Sequence, residues 1–302
     1  MTPRHFITLS DITLKDLRDI LSLANKLKLK RMSHKPFLQG KSLAMIFEKN
    51  STRTRISFEV GMNELGGHPL VLSAQDLQLG RGETIADTAR VLSRYAHIIM
   101  MRSHFHENLQ ELAHYANIPV INGLTDANHP CQIMADIMTI EEHLGSIEGK
   151  IVTWAGDGNN VLHSWINAAA LFDFTLRIAC PKKFYPSAEI VKQAQEKGAT
   201  ILFEEDILKA ADNADVITTD TWVSMGHDNS ETRRLAFAPY HVNQDVMKQA
   251  SPHAIFLHCL PAHRGDEVSA DVIDGAKSVV WDEAENRLHV QKAIMCWCLN
   301  AL

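Results

Sequence analysis

At 302 residues the chain is long enough for two ordinary domains, each with a sizeable core. Apolar content of 45% and charged content of 22% are those of a globular protein, and no apolar run approaches the length of a membrane span. A net charge of −6 argues against a nucleic-acid or anionic-membrane partner, so any anion site must be a local concentration of donors.

Thr13 with Asp16 reads as a helix cap ahead of Leu17, Ile20, Leu21, Ala24 and Leu27. Strands are expected at 43–47, 69–72, 98–101 and 118–121, with helices between them at 53–65, 84–96 and 107–116. Such alternation implies a parallel sheet covered on both faces. An apolar-rich helix from Gln132 to Leu144 then gives way to the linker Gly145-Ser146-Ile147-Glu148-Gly149-Lys150. A second series opens at Ile151-Val152-Thr153-Trp154, with strands expected at 175–179, 200–203, 215–219, 254–257 and 278–281. A last amphipathic helix covers Glu285 to Leu302. The fold class read from this pattern is α/β, with two doubly wound parallel-sheet domains at 1–145 and 146–302, a cleft between them, and the final helix 285–302 packing back on the first domain.

Ser51-Thr52-Arg53-Thr54-Arg55 sits between the first strand and the helix that follows it. A helix start offers unbonded backbone N–H groups and the positive end of a dipole, and hydroxyls and guanidinium forks add donors that suit phosphate oxygens. A capped helix with solvated arginines is the plainer alternative, but it explains poorly why so many donors crowd one turn. No Gly-x-x-x-x-Gly-Lys pattern is present, so this is not a nucleoside triphosphate loop.

In open parallel sheets, ligands bind beyond the carboxyl ends of the strands. Arg102, Asn122 followed by His129-Pro130-Cys131-Gln132, Asp220, and His258-Cys259-Leu260-Pro261 all fall at such ends. Gly156-Asp157-Gly158-Asn159-Asn160 invites a dinucleotide reading. Val161, however, stands where the third glycine belongs, and Arg177 and Ile178 stand where an acidic ribose partner belongs. No nicotinamide cofactor is expected, and the histidines and cysteines lack the ligand spacing of a zinc site. Five cysteines without Cys-x-x-Cys, and no visible targeting segment, suit a reducing cytoplasm.

Together, Ser51 to Arg55, His129 to Gln132, Gly156 to Asn160, Asp220-Thr221-Trp222-Val223-Ser224-Met225-Gly226, His258 to Pro261 and Glu283-Ala284-Glu285-Asn286-Arg287 resemble the aspartate/ornithine carbamoyltransferase family, in the expected order over nearly the whole chain. The Asp220 to Gly226 segment is similar to that of the ornithine-using branch. The resemblance implies transfer of a carbamoyl group from carbamoyl phosphate to the δ-amine of L-ornithine, without cofactor or metal, in a homotrimer or assembly of trimers with sites at subunit interfaces. It implies that Ser51, Thr52, Arg53 and Thr54 hold the phosphate with Arg102, and that His129, Pro130, Cys131 and Gln132 serve the carbamoyl group. Gln78 corresponds to a loop residue lent to a neighbouring subunit. Asn160, Asp220, Ser224 and Met225 would bind ornithine, and Cys259, Leu260 and Arg287 would complete the site. Catalytic roles fall to Arg53, Arg102, His129, Asp220 and Cys259. The aspartate-using branch carries a loop lysine, and Gly80-Arg81-Gly82-Glu83-Thr84 has none. Putrescine or acetylornithine as acceptor, and a non-catalytic anion-binding protein, are the alternatives.

Overall fold

A computed structural model describes residues 2–31, 33–73, 82–223 and 230–301. The chain forms two compact units, one of Met1–Ala135 with Glu285–Leu302 and the other of Asp136–Ala284.

In the first unit, helix α1 (Leu14–Leu29) is followed by β1 (Ser42–Phe47), α2 (Thr52–Glu64), β2 (His68–Ser73), α3 (Ile85–Tyr95), β3 (Ile98–Arg102), α4 (His106–Tyr115) and β4 (Val120–Leu124). The strands form one parallel sheet in the order β2-β1-β3-β4. Leu43, Ala44, Met45 and Ile46 of β1 are all buried, as a central parallel strand with both faces covered requires. The strand expected at 118–121 lies two residues later. Pro119 has no N–H to give a ladder, and Val120 instead pairs through its carbonyl with the Phe6 amide at 2.8 Å.

Helix α5 (Pro130–Leu144) leads into β5 (Ile151–Ala155), α6 (Asn160–Phe172), β6 (Thr175–Ala179), α7 (Ala188–Glu196), β7 (Thr200–Glu204), α8 (Ile207–Ala211), β8 (Val216–Thr219), α9 (Ser230–Phe237), α10 (Gln244–Gln249), β9 (Ile255–His258), α11 (Ala270–Ile273) and α12 (Val280–Cys298). The second sheet is also parallel, in the order β7-β6-β5-β8-β9. The units part inside α5 and inside α12 rather than at the Gly145 to Lys150 linker.

The strand expected at 278–281 does not form. Ser278 makes a single bridge to Phe256, Val279 N–H donates to the Phe256 carbonyl at 3.0 Å, and α12 begins at Val280. A run of β-branched residues suggests a strand, but the tertiary setting overrides that local preference. α12 therefore starts earlier than the expected position 285, and its later part belongs to the first unit. There Trp297 donates to Asp16 at 2.9 Å and stands edge-on to Phe6. Lys292, fully buried, pairs with Glu64 at 2.7 Å at the far end of α2. A Cβ on Gly61 would lie 3.0 Å from the Lys292 side chain, so a larger residue there would press on α12 and make it give by a few tenths of an ångström.

Each sheet has one place where successive connections leave in opposite directions: between β1 and β3, and between β5 and β8. At such a switch point the following loops diverge and leave a crevice at the carboxyl ends of the strands. The β5–α6 turn is tight. A Cβ on Gly158 would stand 2.3 Å from the Phe184 carbonyl oxygen and 2.4 Å from the Pro186 nitrogen. Gly158→Ala should therefore cost about 1–3 kcal/mol, as forced overpacking does. Urea denaturation checks this, and an unchanged midpoint would refute the close approach.

Candidate active site

Both switch points carry the polar residues singled out from the sequence. In the first unit, the loop after β1 delivers the start of α2. Ser51 caps the helix, its hydroxyl oxygen accepting from the Thr54 amide at 3.2 Å. Thr52 and Arg53 occupy the first two helical positions and are exposed. Their amides have no partner within the helix, as at any helix start. Thr54 is buried. Its hydroxyl oxygen accepts from Arg102 Nη1 at 3.2 Å and from Arg287 Nη2 at 3.3 Å. Arg102 comes from the end of β3, paired with Phe47 of β1, and Arg287 from α12. Two guanidinium groups thus converge on one neutral hydroxyl, whose own proton can still be given to a ligand oxygen.

Arg287 is fixed further by a buried bond, Nη1 donating to Gln132 Oε1 at 2.6 Å. Gln132 lies in the first turn of α5, whose Pro130-Cys131-Gln132 start follows His129. Cys131 is buried and its thiol donates to the Asn122 carbonyl at 3.4 Å. Burial pushes that thiol up to about 12, so it anchors the turn as a neutral group. His129 is also buried. Burial, with Arg287 and Arg102 nearby, holds it well below its ordinary value of 6.5. A neutral imidazole keeps one N–H to donate to a polar carbonyl. The site is therefore rich in fixed donors and positive charge, and it suits an anion such as phosphate beside a polar carbonyl.

In the second unit, Asp220 follows β8 and is held on three sides. Asn159 Nδ2 donates to Oδ2 at 2.8 Å, and the Thr221 amide donates to Oδ1 at 2.7 Å. The Cys259 thiol donates to Oδ1 at 3.1 Å. Asn159 also caps α6, accepting from the Val161 and Leu162 amides at 3.0 and 3.1 Å. Its neighbour Asn160, the residue expected to reach a ligand, opens that helix. Burial and the Asp220 carboxylate raise the Cys259 thiol well above 9.0, so it is protonated and serves as a donor rather than a base. Asp220 is left as a placed negative charge suited to an ammonium group.

Cys259, Leu260 and the cis Leu260–Pro261 bond follow β9. Asp220, His258 and Cys259 bring possible ligand atoms within 4.8 Å of one another. Both His258 ring nitrogens, however, are engaged by protein groups. The trio is therefore read as a hydrogen-bonded network. Gln78, Ser224 and Met225 lie outside the described residues.

Sequence reasoning missed Asn159 and Glu283, the latter accepting from the His258 amide at 2.8 Å. Asn159 carried a usable signal, an Asn at the position just before a helix. Glu283 stood in the Glu283 to Arg287 segment, but its contact with His258 is between residues distant in sequence and left no local mark. Asp220 and Cys259, both named from the sequence, are joined by the 3.1 Å bond between them.

Residues 4–142 match the family profile "Aspartate/ornithine carbamoyltransferase, carbamoyl-P binding domain", and 148–298 match "Aspartate/ornithine carbamoyltransferase, Asp/Orn binding domain". The chain belongs to the aspartate/ornithine carbamoyltransferase family. Within that family it is 56% identical over 299 residues to the ornithine carbamoyltransferase of Brucella abortus (strain 2308), covering 98% of this chain and 96% of that protein. The solved ornithine carbamoyltransferase from Pyrococcus furiosus superimposes with a TM-score of 0.94 at 50% identity, covering 98% of this chain and 96% of that one. The anabolic ornithine carbamoyltransferase of Campylobacter jejuni gives 0.92 at 43% identity, over 98% and 99% of the two chains.

Two buried histidines bear on stability. Burial first, then the Lys292 charge, lowers His289 to about 4, and His129 is lowered as well. Below pH 6.5 the unfolded chain takes up protons that these folded-state histidines refuse, so stability falls as pH drops through that window. Urea midpoints should decrease from pH 7 to pH 5. His129→Gln and His289→Gln should each flatten the slope, and an unchanged slope in both would contradict the neutral assignment.

Proposed function

We infer that this chain transfers the carbamoyl group of carbamoyl phosphate to the δ-amine of L-ornithine, giving L-citrulline and phosphate. The observation that carries the reading is the convergence of Arg102 and Arg287 on Thr54, at the start of α2, in the same unit as a neutral His129. Ser51, Thr52, Arg53, Thr54 and Arg102 receive the phosphate. Its departure builds negative charge where the cations and helix amides are already oriented, so no reorganisation is needed as the bond breaks. Arg53, Thr54 and His129 donate to the carbonyl oxygen, with Pro130, Cys131, Gln132 and Arg287 holding that group of side chains in place.

Asn160, Asp220, Ser224 and Met225 receive ornithine, with Asp220 as counter-ion to its α-ammonium. Cys259 and Leu260 complete the surroundings. The neutral δ-amine attacks the carbonyl carbon, the C–O bond to phosphate breaks, and the amine proton leaves with the phosphate. The protonated state of Cys259 supports a role for the Asp220–Cys259 pair in binding rather than in removing that proton. Holding both substrates in attack geometry supplies much of the rate.

The reading includes a biosynthetic role, supported by the anabolic description of the Campylobacter jejuni relative. It also includes a cytoplasmic location and a homotrimer or assembly of trimers. Among the described residues no helix is long and apolar enough to cross a membrane. Ile56 of α2 and Leu29 of α1 are exposed apolar side chains of the kind subunit contacts cover. A mass below three chains in light scattering would remove the trimer.

A citrulline assay with ornithine, putrescine, acetylornithine and aspartate offered in parallel tests the acceptor. Ornithine should lead, and product formed faster from another amine would overturn the assignment. Arg53→Gln should lower kcat by about 100- to 1,000-fold, as loss of one transition-state donor does, with the fold intact. Near-normal turnover would refute the phosphate role. Cys259→Ala should raise KM for ornithine more than it lowers kcat, and a large loss of kcat with unchanged KM would contradict the binding role.

A further inference from the structure

The loop after β9 is supported by a buried carboxylate and imidazole that no substrate role uses. His258 and Glu267 both have fully buried side chains. The Leu260 amide donates to His258 Nδ1 at 2.9 Å. A backbone N–H can only donate, so Nδ1 is the lone-pair nitrogen and the ring proton sits on Nε2. Nε2 lies 3.1 Å from Glu267 Oε1, which accepts that proton's hydrogen bond. The same oxygen accepts from the His263 amide at 2.5 Å. Glu267 Oε2 accepts no hydrogen bond among the described residues and faces His263 Nδ1 at 3.8 Å. A buried carboxylate oxygen left in that state is costly, so an acidic residue here needs a compensating role.

Leu260 supplies the reason. It stands at φ 58°, in the left-handed region that a leucine enters only at an energetic cost. The bond from its amide to the His258 ring closes a turn around Cys259, and it holds the backbone in that conformation. The turn in turn aims Cys259 Sγ at Asp220 Oδ1, 3.1 Å away.

We propose that Glu267 and His258 are positioning residues for the amine-acceptor site. Glu267 selects the Nε2–H form of His258, whose Nδ1 locks the Leu260 amide and so fixes the Cys259–Asp220 pair. This rests on the acceptor role given above to Asp220 and Cys259. Neither residue touches substrate, and neither transfers a proton in the reaction.

Nitrogen-15 NMR of histidine-labelled protein without substrates reads the ring directly. The expected native spectrum shows a bound proton on His258 Nε2 and none on Nδ1. A proton on Nδ1, or on both nitrogens, at pH 7 overturns the proposal whatever the enzyme's substrate. Glu267→Met removes the acceptor at similar volume. It should lose the ring signature and lower kcat/KM for ornithine about 100-fold, the scale of a small misplacement of reacting groups. Carbamoyl phosphate binding, measured calorimetrically without ornithine, should be unchanged. Glu267→Gln keeps an acceptor oxygen and should restore the signature and most of the lost kcat/KM. A folded Met variant with native ornithine kinetics overturns the proposal, and so does a Gln variant as impaired as the Met variant. If the Met variant does not fold, the native spectrum and the Gln variant still decide. If the native protein shows the expected ring but makes no citrulline, it is the function reading that fails.

Discussion

The Thr54 hydroxyl is the point on which the first unit turns. It receives Arg102 from the end of β3 and Arg287 from α12, while Arg287 also reaches Gln132 at the start of α5. Four separate elements are tied by three hydrogen bonds to charged donors, each stronger than a neutral bond. Two cations held this close repel each other, and burial first, with the same positive field adding to it, keeps His129 neutral. An arrangement that costs energy when empty gains it back when an anion arrives. That is the condition for tight recognition of a phosphate by a protein whose net charge is −6.

The long reach of α12 makes this possible. Its first residues belong to the second unit and its remainder to the first. Within the first unit it grips α2 at both ends, through Arg287 near the start and Lys292 with Glu64 near the finish. Gly61 lies between them, where a Cβ would press on α12. The polar residues of this helix, Asn286, Arg287, His289, Gln291 and Lys292, are buried, which an isolated amphipathic helix would not tolerate. Asn286, Arg287 and Lys292 find partners on other elements, namely Lys28, Thr54 and Glu64, while His289 bonds to Glu285 of its own helix.

The second unit repeats the logic with the opposite charge. Asp220 and the Asn159 turn stand at the switch point between β5 and β8, and Cys259 approaches from the neighbouring β9. Backbone and side-chain donors orient the carboxylate before any ligand is present. One unit therefore offers ordered cations and the other an ordered anion. This division suits a reaction that pairs a phosphate-bearing donor with an ammonium-bearing acceptor.

The sequence by itself determined the alternation of strands and helices, because buried parallel strands need unbroken apolar runs and covering helices need a 3.6-residue period. It also marked the Ser51 to Arg55 turn and the polar residues at strand ends, because donors crowded at a helix start are visible in a linear string. It did not disclose that a helix, rather than a strand, begins at Val280, that the two units part inside α5 and α12, or that Arg287 would meet Thr54. Nor did it show that His258 is clasped by Glu267 and Glu283. These outcomes are pairings between residues far apart in the chain. Local periodicity carries no record of such pairings, and only the folded backbone, by bringing strand ends and helix starts together, decides them.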